Sequence, residues 1–137
     1  MSDALRISRP AAAAVLVIAE NRGLLESFTC ALEAHGISVA TARCAYEGLT
    51  AFRWNLPAVV LTDILMPEQH QMVMAMRQAL PAVKIIAMSS GRASRSDFLT
   101  IANRFGADAI VQKPFEVDEL VKLLRTFLRA AASSQAA

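Results

Sequence analysis

Four places in this sequence carry residue types that can act on a phosphoryl group: the carboxylates of Glu20 and Asp63, the Ser89-Ser90 hydroxyls and the Lys113 ammonium. A carboxylate can attack phosphorus directly and form an acyl phosphate. A divalent cation and a Lys can neutralise the negative charge spread over the oxygens of the transferring group. A small hydroxyl can donate one hydrogen bond to the product. Each of these residues closes a short apolar run, and a polar residue at the end of a strand is ordinary. Only the combination is informative.

The elements that must position them follow from hydrophobic periodicity. Residues 15–18 form a β-branched-rich run without polar alternation, as in a strand buried on both faces, and end at Ala19-Glu20. Residues 59–62 do the same and end at Asp63, and residues 83–88 end at Ser89-Ser90-Gly91. A short run at 109–111 leads to Lys113-Pro114-Phe115, and a weaker strand surrounds Val39. Helical patterns fill the intervals. Asn21 is the expected N-cap of a helix with Leu24, Leu25, Phe28 and Leu32 on its apolar side, stopping at Gly36 after His35. A second helix is expected over 45–54, closed by Asn55-Leu56-Pro57, and a third over 72–80, before Pro81. The fourth is expected over about 96–105, ending at Gly106. The fifth is expected over about 117–128, with Leu120, Leu123, Leu124 and Phe127 inward. Strict strand–helix alternation implies a parallel sheet covered by helices on both faces. In such folds the ligand site lies beyond the carboxyl ends of the strands, near a topological switch point, where the four chemical positions fall.

Composition bounds the alternatives. The 137 residues suit one domain able to bury a core unaided, and 55% apolar with 19% charged residues argues for a globular chain. Net charge is +2 and the fourteen Lys and Arg are scattered, so no basic stripe for direct nucleic-acid binding is expected. Cys30 and Cys44 make no metal-ligand spacing and are expected to be free, buried thiols. No apolar stretch reaches the roughly 20 residues that span a bilayer. The run at 11–18 ends in Glu20-Asn21 and leads into a helix pattern, so it reads as the first strand rather than a signal core. A cytoplasmic protein without membrane contact is expected. Residues 1–12 and 130–137 read as flexible ends around a domain at 13–129. No pattern of a second domain follows residue 128, which suggests a stand-alone domain.

The segments Leu61-Thr62-Asp63-Ile64-Leu65-Met66-Pro67, Ile85-Ile86-Ala87-Met88-Ser89-Ser90, Gly106-Ala107-Asp108 and Lys113-Pro114-Phe115 occur in this order. The separation from Glu20 to Gly36 is in register with them. Together they resemble the receiver domains of bacterial two-component response regulators, of the chemotaxis-receiver type, over about residues 15–128. The resemblance implies a flavodoxin-like (βα)5 fold, a doubly wound five-stranded parallel sheet. It implies that Asp63 is the phosphoacceptor, that Ser89 is the switch hydroxyl and that Ser90 keeps the approach to the phosphate open. Lys113 would pair with a phosphoryl oxygen, aimed by a cis bond before Pro114. Glu20, Asp63 and the backbone carbonyl of Leu65 would hold Mg²⁺. A histidine kinase or phosphotransfer protein would be the phosphodonor. A downstream protein would bind the face made by the fourth helix, fifth strand and fifth helix, and homodimers would form there too. Catalysis would be limited to the domain's own phosphorylation and dephosphorylation.

Departures from the family pattern are specific. Ala19 stands where one of two adjacent acidic residues is usual, so the pocket charge falls from about −2 to about −1 and Mg²⁺ binding is expected to weaken. His70-Gln71 replaces the common Asp-Gly, so the turn into the third helix is expected to be rebuilt, with His70 on the surface. Ile110 replaces the aromatic switch residue, and its stiff, ring-free side chain should mute that signal. Leu65 cannot orient an attacking water, which predicts a long-lived acyl phosphate. It also lacks the second carboxylate of haloacid-dehalogenase-type phosphatases. A nucleotide-binding flavodoxin-like domain is disfavoured because the first strand–helix turn has no Gly-rich phosphate loop. The competing reading is a phosphorylation-independent pseudo-receiver that serves as a protein-interaction module. Trp54 is expected to lie too far from Asp63 to report on it.

Overall fold

The computed structural model describes residues 13–63, 68–89, 106–112 and 116–136, together with Thr100 and Asn103. Five strands form one parallel sheet: β1 (Val15–Ile18), β2 (Val39–Ala42), β3 (Val59–Asp63), β4 (Lys84–Ser89) and β5 (Ala109–Gln112). Their order is β2-β1-β3-β4-β5, so the chain winds outward from β1 in one direction and from β3 in the other. The described helices are α1 (Arg22–Ala34), α2 (Ala45–Asn55), α3 (Gln69–Ala79) and α4 (Val117–Ala136). The fourth helix expected from the sequence falls almost wholly outside the described residues.

The pleat of the central strands sorts their side chains into two cores. Leu16, Ile18, Val60, Ile85 and Ala87 pack on one face with Phe52 of α2 and Met72 and Met76 of α3. Val15, Val17, Val59, Leu61, Ile86 and Met88 pack on the other with Phe28 and Leu32 of α1 and Leu120 and Leu124 of α4. Because both faces are covered, these strands have no polar positions to alternate, as their continuous apolar runs suggest. Burying one such Val, Ile or Leu contributes about 1.5–3 kcal/mol. Gly48 allows α2 to sit close to the sheet: a Cβ there would stand 2.9 Å from Ile18 Cδ1 and 3.0 Å from Met72 Sδ.

Local chemistry sets the ends of the elements. The Asn21 side chain accepts a hydrogen bond from Leu24 N–H at 3.0 Å and starts α1, while Gly36 takes φ +78° just after its end. Leu56, before Pro57, closes α2 in the left-handed region at φ 46°. The Asp108 carboxylate accepts from Ile85 N–H at 2.8 Å and from the Arg77 guanidinium at 3.0 Å, tying the approach to β5 to β4 and α3.

Three expectations need correction. Helix α3 begins at Gln69, not Met72, because Gln69 turns inward although its neighbours are polar. Helix α4 continues to Ala136, past the expected end near 128, because alanines follow Arg129 and have the highest helix propensity. Cys30 and Cys44 are free but exposed. Cys30 lies opposite the apolar side of α1 set by Phe28 and Leu32, and Cys44 lies in the loop before α2.

Candidate functional site

The carboxyl edge of the sheet gathers the positions singled out by chemistry. In the parallel registers Ile18 pairs with Thr62, Asp63 with Met88, and Ser89 with Gln112. With neighbouring strands about 4.8 Å apart, Ala19, Asp63 and Ser89 therefore leave the sheet side by side. Gln112, the residue before Lys113, closes β5 at the level of Ser89. Leu65, Ser90, Lys113 and Pro114 lie outside the described residues. Asp63 ends the central strand and is half-buried.

The chain around Asp63 is tied down by a residue that hydrophobic patterning passes over. Gln69, only 5% exposed, sends its Nε2 back from the first turn of α3 to the Asp63 backbone carbonyl. The same nitrogen lies 3.4 Å from Oγ1 of the fully buried Thr62. Two buried polar side chains thus meet each other, and both donate to the last carbonyl of β3. The bridge fixes the backbone from which the Asp63 carboxylate projects. Glu68 takes φ 61° directly before α3, and His70-Gln71, expected in a rebuilt turn, lie instead in the first turn of that helix. His70 is exposed, as expected.

The β1 end is built differently. Ala19 is fully buried and belongs to the apolar cluster with Val17, Leu25 and Phe28, so a methyl occupies the place of a carboxylate. Glu20 is exposed, and its backbone carbonyl accepts a 3.3 Å hydrogen bond from Arg43 Nε. Arg43 follows β2, whose Ala42 pairs with Ile18, so register delivers this cation beside Glu20. Its own N–H donates to Glu47 Oε1 at 2.9 Å. The sequence signal for Arg43 was its place one residue after a strand end, visible only once β2 is set in register.

Among the described residues, no group of three or more His, Cys, Asp and Glu side chains could hold a metal ion. The oxygen donors at hand, Glu20 and Asp63 on adjacent strands, fit a hard divalent cation that keeps several waters. They supply fewer carboxylates than the family pattern. Ile110 on β5 is half-buried and packs against the core shared by α2 and α3. Trp54 lies on the exposed side of α2.

Strand order, helices on both faces and a polar carboxyl edge define a doubly wound, flavodoxin-like α/β domain. The chain belongs to the response regulator receiver domain family, whose pattern matches residues 15–125. The response regulator Rre1 of Synechocystis is 33% identical over 131 residues, covering 89% of this chain and 54% of that protein. The transcriptional regulatory protein CseB of Streptomyces avermitilis is 31% identical over 115 residues, covering 84% of this chain and 48% of that protein. The chain thus spans about half the length of these relatives. Its fold is similar to that of a CheY-like response regulator receiver domain protein from Methanospirillum hungatei. That match has a TM-score of 0.77 at 24% identity and covers 90% of this chain and 99% of the other. No described helix is long and apolar enough to cross a membrane.

Proposed function

We propose that this receiver domain accepts a phosphoryl group on Asp63 from a phosphohistidine of a histidine kinase or phosphotransfer protein and thereby switches its binding to a downstream protein. One Asp63 carboxylate oxygen forms the new O–P bond as the P–N bond to the donor imidazole breaks, and the imidazole leaves. The observation that supports this reading is the seat of Asp63. It ends the central strand between the strand leading to Glu20 and the strand ending in Ser89. Glu20 and Asp63, with the Leu65 backbone carbonyl, are the residues that would hold Mg²⁺, and the bound cation would neutralise charge on the phosphoryl oxygens. Ser89, at the end of β4, and Lys113, which follows β5 in sequence, would donate a hydrogen bond and a positive charge to the same group. The domain acts on no separate substrate. Its catalysis is confined to gaining and losing this one group.

Leu65 has no polar atom with which to orient a water, so the acyl phosphate is expected to outlast seconds by a wide margin. Ile110 carries no ring to move inward. On this reading the output travels by helix displacement or by direct partner contact on the face expected from the fourth helix, fifth strand and fifth helix.

The test is incubation with a small phosphodonor such as acetyl phosphate, with and without Mg²⁺, followed by intact-mass measurement. The unaltered chain should gain one phosphoryl unit, and Asp63→Asn should gain none. No gain from any donor would replace this reading with a phosphorylation-independent interaction module. A gain that survives Asp63→Asn would move the acceptor elsewhere. Decay within seconds would overturn the role given to Leu65.

A further inference from the structure

Strand β2 lies at one end of the sheet, and among the described residues no strand pairs with its outer edge. Its inner edge is occupied: Val15 N–H donates to the Ser38 carbonyl and Ala19 N–H to the Ala42 carbonyl, each at 3.1 Å. Backbone groups alternate along a strand, so the N–H and C=O of Val39 and Thr41 point away from β1. None of the four residues of β2 is charged or a proline, the usual guards of an open edge. Two open grooves flank that edge and share Thr41. One, of about 720 Å³, lies on the α2 side and offers Ala51 and Trp54, the latter 59% exposed. The other, of about 520 Å³, lies on the α1 side and is polar, with Arg22, Glu26 and Thr29. An extended chain suits such an edge: its backbone meets Val39 and Thr41, and its side chains fall alternately into the two grooves.

The chain itself carries a matching pattern. Leu5-Arg6-Ile7-Ser8 alternates apolar and polar residues, within an end that composition alone reads as flexible. Residues 1–12 lie outside the described residues, but the point from which they depart is described. Ala13 N–H donates to Asn55 Oδ1 and Ala14 N–H to Ser38 Oγ, each at 2.9 Å, so the chain enters β1 between the end of α2 and the start of β2. Asn55 also lines the α2-side groove. We propose that residues 5–8 add to the edge of β2 as a sixth, antiparallel strand, with Arg6 opposite Thr41 and Ser8 opposite Val39. Leu5 and Ile7 then stand opposite Ala42 and Ala40, which face the α2-side core, whereas Val39 faces the other. Opposite residues of an antiparallel pair share a face, so Leu5 and Ile7 enter the groove beside Trp54 and Arg6 turns toward Glu26. Chain length forces the direction. From the added strand to β1 is two strand spacings, about 10 Å. The four links from Arg9 to Ala13 reach about 13–14 Å. A parallel strand would leave Arg9 at the far end of β2, beyond that reach. Pro10, which has no N–H to donate, falls after the strand. The tether selects this occupant over a foreign peptide, because a short linker holds the segment at about millimolar effective concentration. The pairing of Arg6 with Glu26 adds a matching charge. The added strand does not depend on phosphoryl transfer to Asp63.

Hydrogen exchange of the full chain, followed amide by amide by NMR, tests this. The Val39 and Thr41 amides should exchange about tenfold or more faster in Ile7→Asp, which sets a charge in the apolar groove, than in the unaltered chain. The Ala40 and Ala42 amides, which face β1, should change little. Trp54 is the chain's single tryptophan. Its quenching by acrylamide should rise in Ile7→Asp, and Ile7→Val, which keeps the alternation, should leave both readings as they are. The protection of Val39 and Thr41 should not vary with protein concentration, because the strand belongs to the same chain. Protection that grows with concentration would put a second copy on this edge and overturn the proposal. So would Val39 and Thr41 amides that exchange equally fast in the unaltered chain and in Ile7→Asp, or Trp54 quenching that is the same in both.

Discussion

At the end of β3, Asp63 leaves the sheet with its backbone carbonyl held by the buried Gln69 amide and with the buried Thr62 hydroxyl beside it. At the end of β1, Ala19 is a buried methyl, Glu20 stands exposed, and Arg43 reaches its carbonyl from the edge strand. The two ends are neighbours in the same register, yet one is reinforced by a buried amide and the other carries a buried methyl beside an exposed cation. On the proposed reading, the difference means that acceptor and metal pocket need not be kept to the same standard. Asp63 would need a fixed backbone from which to meet phosphorus in line. A divalent cation would need only oxygen ligands and several waters, so a poorer pocket would lower its affinity without moving Asp63.

The strongest way to break this contrast is Ala19→Asp, which returns a carboxylate to the β1 end. The Mg²⁺ concentration for half-maximal phosphorylation by acetyl phosphate should fall about tenfold, since one more negative charge stands within a few ångströms of the cation. The same variant should lose about 1–3 kcal/mol of stability in urea without Mg²⁺, because Ala19 is fully buried. Unchanged Mg²⁺ dependence would show that the missing carboxylate is not what limits the pocket.

A smaller effect comes from the reinforced end. Gln69→Met keeps the volume but leaves the Asp63 carbonyl without this donor, at a cost of about 1–3 kcal/mol. The rate of phosphorylation at saturating Mg²⁺ should fall several-fold with the Mg²⁺ requirement unchanged. A shift in Mg²⁺ requirement instead would mean that Gln69 serves the metal side. The smallest effect is that of Arg43→Ala at the exposed rim. Removing the cation should tighten Mg²⁺ about twofold at low ionic strength, and added salt should erase the difference. Stability should change by less than about 0.5 kcal/mol.

Much of this was legible in the chain itself. The apolar runs at 15–18, 59–62 and 83–88 announced buried parallel strands, because a strand covered on both faces has no room for polar alternation, while the run at 109–111 forms a half-buried edge strand. Asn21 and Gly36 marked the ends of α1 through local chemistry that needs no tertiary partner. Asp63 and Ser89 stood out because a polar residue ending such a run emerges where ligands bind in a doubly wound sheet. The gaps lie where long-range packing overrides local character. Gln69 sits in a polar stretch and reads as loop, but the fold turns it under the end of β3, where its amide has buried acceptors to meet. Cys30 and Cys44 read as buried by residue type, but helix phase and a loop position put them outside.

By itself, then, the sequence determined the alternation of strands and helices and the strand ends that carry chemistry. These depend on residue type and on spacing along the chain. The tertiary structure alone decided which strands are neighbours, that Gln69 holds the carbonyl of Asp63, that Arg43 meets Glu20, and that the Tyr46–Trp54 stripe of α2 faces outward. Those contacts join residues on different elements, and their free energy exists only after the sheet has fixed the register that brings them together.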